Sequence, residues 1–261
     1  MSEFTVSKTQ ILKRYLPAIT LALILPAWEL ICRLFDVPSY ILPAPSEIYQ
    51  AFVEVDFDRW GLHLWATLKV ALLGFALSMF ISIPLAMLMV NSKYLSKTLY
   101  PILVVVQSTP VVAIAPLLIT MFGSGEAPRL AITCLITFFP LVVSATTGMM
   151  ATPPELIDLS RSLRAPRYKE IFAIRLPYAL PHIFSGMKVA VTLAIIGAVV
   201  AEFVAAEQGL GYFIQFSTSF FKVPQAFAAL IFLSVVSLAL FKLVHWVQAY
   251  FFGWTMAKEK A

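Results

Sequence analysis

The sequence predicts an all-α polytopic membrane protein with about six transmembrane helices and one cytoplasmic loop that carries most of the functional information. Two observations support this. Of the 261 residues, 60% are hydrophobic and only 13% charged, with a mean hydropathy of +0.87. A soluble surface needs roughly a quarter charged residues. The apolar residues also gather into runs long enough to cross a bilayer core of about 30 Å, which takes roughly 20 residues per helix.

Six runs meet that length, at 15–35, 65–90, 99–122, 130–150, 187–206 and 226–252. Lipid offers the backbone no hydrogen-bond partners, so each run is expected to be helical. Lys8, Lys13 and Arg14 imitate the start of a signal peptide. The run behind them is too long and lacks a small-residue cleavage site, so an uncleaved first span is expected.

The connecting segments sort by charge, because cytoplasmic loops retain lysine and arginine. Lys8, Lys13 and Arg14 place the N-terminus inside, and Asp36, Glu47, Glu54, Asp56 and Asp58 against Arg59 suit an outside loop. Lys93 and Lys97 fall inside, and the loop at Glu126 and Arg129 is short and neutral. Arg161, Arg164, Arg167, Lys169, Arg175 and Lys188, and finally Lys258 and Lys260, fall inside again. Both termini are therefore expected in the cytoplasm of a multi-pass cell-membrane protein. Topology accounts for the net charge of +5 and the pI near 9.2 better than nucleic-acid binding does, since no single basic face emerges.

Cys32 and Cys134 sit within apolar runs as small hydrophobes, with neither a disulfide framework nor a metal site indicated. Prolines 26, 84, 110, 116 and 140 interrupt the runs, and the third run, which holds two of them, is expected to be the irregular span.

Residues 151–186 form the longest non-spanning stretch. Thr152-Pro153-Pro154-Glu155 reads as a helix start with a capping box, and the helix should run to about Leu163. Leu156, Leu159, Ser160 and Leu163 fall on one face. After Pro166 a second short helix with Tyr168, Ile171 and Phe172 on one side is expected, ended by Pro177 and Pro181. On the residues alone, this segment is either an amphipathic element lying on the anionic inner leaflet or a docking element.

The run Glu155-Leu-Ile-Asp158-Leu-Ser160-Arg-Ser-Leu163-Arg164-Ala165, followed by Ile174-Arg175-Leu176-Pro177 and Gly186, resembles the EAA loop of binding-protein-dependent ABC importer permeases. Ile41-Leu-Pro-Ala-Pro-Ser-Glu-Ile48, Gln107-Ser-Thr-Pro110, Ala115-Pro-Leu117, Phe122-Gly123, Ala201-Glu202-Phe203 and Gly209-Leu-Gly-Tyr-Phe-Ile214 are similar to the branch importing nitrate, sulfonates, taurine, thiamine precursors or riboflavin. The resemblance covers nearly the whole chain, in order.

The resemblance implies that residues 1–261 form a single permease domain and that 151–186 couples it to an ATPase. The coupling residues would be Glu155, Asp158, Leu159, Ser160, Arg161, Leu163, Arg164 and Ala165. It also implies a second permease copy, two separate ATP-binding subunits that hold ATP and Mg²⁺, and an extracytoplasmic solute-binding protein. No cofactor is expected on this chain. Two departures stand out: Asp158-Leu159-Ser160 replaces Glu-Ala-Ala, and Arg164 replaces the usual glycine, which puts the turn geometry in question.

A solute pathway draws attention to intramembrane polar residues. Gln107, Ser108, Thr109, Thr192 and Glu202 are the principal candidates, with Thr120, Thr133, Thr137, Ser144 and Gln215 behind them. Glu202 lies about 15 residues into the fifth run, roughly 22 Å from its inner end at ~1.5 Å per residue. It would close a gate, hold a helix or face the pathway, the first two being favoured. Gly209 and Gly211 permit either a re-entrant turn or an ordinary loop. Lys69 and Lys242 are expected to snorkel, and His245 to pack.

No enzyme is expected. His63, His182 and His245 lack a nucleophile motif, Gly123-Ser124-Gly125 is no nucleophile elbow, and no Gly-rich loop with lysine cradles phosphate. An ion-coupled secondary transporter or channel is the alternative class, with Glu202 its only support.

Overall fold

The computed structural model describes residues 8–256; Lys258 and Lys260, which bear on the C-terminal orientation, lie outside them. The described chain is helical in the order α1 Lys8–Leu34, α2 Pro45–Glu54, α3 Phe57–Asn91, α4 Lys93–Ser108, α5 Val111–Phe122, α6 Glu126–Met150, α7 Pro154–Ser162, α8 Arg167–Lys169, α9 Leu176–Ala205, α10 Leu210–Ser219 and α11 Val223–Phe252. Among the described residues, four helices are long and apolar enough to cross a membrane: α3, α6, the stretch Arg167–Ala205 and the stretch Val223–Thr255. The α4–α5 pair makes a fifth crossing if it is taken as one span. The 27-residue α1 coincides with the first expected run; at ~1.5 Å per residue it is about 40 Å long, enough for a ~30 Å core.

The third run is irregular, as expected, and more sharply than expected. α4 and α5 meet at 91°. Thr109 precedes Pro110, so it is pushed out of the helical region; both residues are extended, at ψ 128° and 107°. The Thr109 hydroxyl donates to the Val105 carbonyl at 3.0 Å, satisfying an acceptor that the stop leaves over. The other prolines do not interrupt their helices: Pro84 lies inside α3, Pro116 inside α5 and Pro140 inside α6.

The chain divides into two compact units. The first holds residues 1–57 and 214–231, the second residues 58–213 and 232–261. In the first unit, α2 is tied to α1 through Glu29, which accepts from the Ser46 backbone N–H at 3.0 Å and the Ser46 hydroxyl at 2.7 Å. In the second unit, α6 packs along α9 through small residues that bring the backbones close. A Cβ at Gly197 would sit 2.9 Å from the Thr133 Cα, and one at Gly74 of α3 would sit 2.6 Å from the Thr133 side chain. Ala86, Ala145, Met149, Ala179 and Ile183 form one buried cluster of this unit; Ala115, Ile132 and Ala201 form another.

The stretch after α7 departs from the sequence reading. Pro177 and Pro181 do not end a second short helix, because the chain passes from α8 through a π turn at Glu170–Arg175 directly into α9. Pro177, two residues into α9, has no N–H to donate to the preceding turn, and the wider π turn just ahead absorbs the mismatch. Arg175 fixes this turn: its guanidinium pairs with Glu170 at 2.7 Å and donates to the Met149 carbonyl at 3.3 Å.

Candidate functional site

Two sites emerge, both within the second unit. The first is the α7 loop. The expected capping box is absent: the Thr152 hydroxyl instead donates to the Met149 carbonyl at the end of α6, and α7 begins at Pro154 without a side-chain cap. The helix is tied down through Ser160, which is 4% exposed, so Ser160 does not share the leucine face as the spacing suggested. Leu156, Leu159 and Leu163 point the other way, at 40%, 57% and 73% exposure. Glu155, Asp158 and Arg161 flank them on the surface.

Arg164 settles the question that its identity raised. Its φ is +50°, so the left-handed conformation is kept without glycine. The Ala165 N–H donates to the Ser160 carbonyl at 3.0 Å and the Arg164 N–H to the Arg161 carbonyl at 2.9 Å, the paired bonds of a Schellman stop. An arginine there is strained, so Arg164→Gly is expected to stabilise by about 0.5–1 kcal/mol, a rise of roughly 1–3 °C in melting midpoint. Thermal unfolding of the purified protein checks this, with Arg161→Gly inside α7 expected to move it the opposite way.

The second site is a polar node at the start of α10. The first N–H groups of a helix lack intrahelical partners. Here three side chains supply them. His63 Nδ1 accepts from Gly209 N–H at 3.2 Å, Thr67 Oγ1 from Leu210 N–H at 2.8 Å, and Glu202 Oε2 from Gly211 N–H at 2.7 Å. His63 and Thr67 stand one turn apart on α3, and Glu202 lies near the end of α9. All three are buried, Glu202 to 1% exposure. A carboxylate at a helix N-terminus also meets the positive end of the helix dipole. Glu202 therefore caps the start of α10 through the Gly211 N–H.

Glycine is favoured at this node: at φ +126° Gly209 takes a conformation that L side chains rarely adopt, and an added Cβ would overlap the Glu202 carboxyl. Phe213 of α10 closes the node from within, its ring 5.2 Å from that of His63 and 5.1 Å from that of Trp60. The sequence reading gave His63 no role and did not single out Thr67; their four-residue spacing at the head of an apolar run was the available signal.

The remaining candidates are dispersed. Gln107, Ser108 and Thr109 lie exposed at the α4–α5 bend, the two hydroxyls donating to Val104 and Val105 carbonyls. Thr192 is half-buried and bonds the Val189 carbonyl. Thr120, Thr133 and Thr137 bond carbonyls of their own helices. Lys69 does not snorkel alone but pairs with Glu126, on the wall of an open cavity of about 620 Å³ that also holds Arg129, Glu207 and Gln208. Among the described residues no cluster of His, Cys, Asp or Glu is arranged to hold a metal.

Long apolar helices, a sharply broken span and a short amphipathic helix between α6 and α9 make up a helical membrane protein. Residues 78–254 match the family described as binding-protein-dependent transport system inner membrane component, and the chain belongs to that family. It is 31% identical over 238 residues to the formylaminopyrimidine transport permease protein ThiX of Halalkalibacterium halodurans, covering 91% of this chain and 95% of that one. It is 34% identical over 237 residues to the riboflavin transport system permease protein RibX of Chloroflexus aurantiacus, covering 90% and 88%. Permeases named for aliphatic sulfonates, nitrate and taurine match as well. In fold it is similar to an inward-facing MetNI methionine ABC transporter chain, with a TM-score of 0.62 at 17% identity over 74% of this chain and 94% of that one. The protein is an ABC importer permease subunit, a transport component and not an enzyme; the channel and secondary-transporter alternative is not favoured.

Proposed function

We propose that the α7 loop is the coupling element, docking on an ATP-binding subunit through Leu156, Leu159 and Leu163, with Glu155, Asp158, Arg161 and Arg164 at its polar margin. The observation that carries this is the outward leucine stripe. Two large apolar side chains on a nine-residue helix and a third, Leu163, at its C-terminal cap stay exposed, while Ser160 and the Schellman turn anchor the helix. Exposed apolar surface rimmed by charge marks a protein or membrane contact, and the family resemblance of the segment favours the protein. Ala165 and Arg164 fix the loop's exit, so motion of α7 is passed to α9 through the Glu170–Arg175 turn.

On this reading two copies of the chain line the pathway, each carrying one ATPase subunit, and ATP and Mg²⁺ reside on those subunits. A solute-binding protein delivers substrate at the opposite face, and both termini lie in the cytoplasm. Gln107, Ser108 and Thr109 at the α4–α5 bend offer polar groups to the solute, Thr192 a further one. The substrate class is a heterocyclic vitamin or its precursor, in keeping with the aminopyrimidine and riboflavin relatives.

Cysteine crosslinking in native membranes tests the docking. Leu159→Cys is expected to crosslink to an ATPase subunit, whereas Tyr40→Cys, in the outside loop, is not. Equal labelling of both by a membrane-impermeant reagent added from outside would count against it.

A further inference from the structure

An open concavity of about 820 Å³ lies between the α3–α4 junction and the α7 loop. Val90, Asn91 and Ser92, at the very end of the α3 span, form one wall. Arg161, Arg164, Arg167 and Arg175 line much of the rest, beside Tyr94, Ala165 and Ile171, with Glu170 as the single carboxylate of the lining. Glu170 is already taken by Arg175, and Arg161 has a loose, exposed contact with Asp158 at 3.6 Å. Among the described residues, Arg164 and Arg167 have no carboxylate partner. The left-handed turn at Arg164 and the helix start at Arg167 are thus brought to one concavity with a local surplus of positive charge.

We propose that this concavity binds a phosphate-bearing anion, supplied by the headgroup of an acidic phospholipid of the inner leaflet. Guanidinium forks match phosphate oxygens in geometry and charge. Basic pockets beside the cytoplasmic ends of membrane helices are where such headgroups are held. The site links lipid composition to the coupling loop, because Arg164 is the residue that ends α7. It rests on the reading that α7 faces the cytoplasm.

Native mass spectrometry of the purified transporter, stripped of lipid and offered equal amounts of phosphatidylglycerol and phosphatidylcholine, tests the site. The wild type is expected to retain phosphatidylglycerol roughly tenfold over phosphatidylcholine. The Arg164→Gly, Arg167→Gln pair is expected to abolish that preference, and the Arg164→Lys, Arg167→Lys pair to keep most of it. Glycine favours the left-handed turn, so loss of lipid in the first pair reports charge and not misfolding. Equal retention by wild type and the first pair overturns the proposal. Variant-sensitive binding of added inorganic phosphate, without retention of phosphatidylglycerol, overturns the lipid as source. Retention is read in detergent without reference to sidedness, so it fails independently of ATPase docking.

Discussion

Gly209→Ala is expected to lower the melting midpoint of the purified protein by roughly 6–12 °C, equivalent to about 3 kcal/mol. Two causes add. A non-glycine residue at positive φ costs about 1–2 kcal/mol, and forcing atoms into a filled core costs about 1–3 kcal/mol more. Here the added methyl would overlap the Glu202 carboxyl, the group that satisfies Gly211 N–H. Displacing the carboxyl strands that N–H in a buried setting, and Phe213 cannot then stay against His63 and Trp60. Gly211→Ala should act in the same direction, since its Cβ would sit 2.8 Å from Glu202 Oε2 and 3.0 Å from the Val199 carbonyl.

The same node separates the roles of Glu202. Glu202→Gln keeps an acceptor oxygen and is expected to be tolerated. Glu202→Leu removes the acceptor and is expected to destabilise by about 1–3 kcal/mol. Equal tolerance of both in a thermal unfolding assay would argue that the carboxylate acts on the solute instead.

The second large effect is at the coupling loop. Leu159→Glu with Leu163→Glu places two carboxylates where the structure has two exposed apolar side chains. Neither residue supports the fold from within, so the purified subunit should keep its melting midpoint within a few degrees. Docking should be lost altogether, because a charge buried in an apolar contact without a partner costs far more than such a contact contributes.

The apolar runs are legible because lipid imposes them, and their helices fall where hydropathy puts them. Boundaries are less legible. Pro177 and Pro181 read as breaks, yet a π turn ahead of α9 lets the helix run through them. Helix stops without glycine are hidden too: Asp36, Arg164 and Phe221 all take positive φ just past the ends of α1, α7 and α10. The paired backbone bonds, not the residue types, identify those stops at Arg164 and Phe221, where Lys222 N–H reaches the Ser217 carbonyl at 2.8 Å and Phe221 N–H the Thr218 carbonyl at 3.1 Å.

The sites divide in the same way. Leucine spacing on α7 is visible in the sequence, but the outward direction of the stripe is fixed by the burial of Ser160, which spacing alone does not give. Glu202 stands out as a carboxylate in an apolar run. Its partners do not, because His63 and Thr67 lie 146 and 143 positions from the N–H groups they bind and meet them only through packing of α3 against the start of α10. Glu29 was missed for a related reason: its carboxylate caps α2 across 17 residues of chain.

Co-purification of the tagged chain from native membranes, with mass spectrometry of the proteins that accompany it, tests the coupling claim most directly. An ATP-binding subunit is expected to accompany the wild type in near-equal amount and to be absent from the Leu159→Glu, Leu163→Glu variant. An ATPase that stays with the folded variant as fully as with the wild type would contradict the assignment of α7 as the docking element.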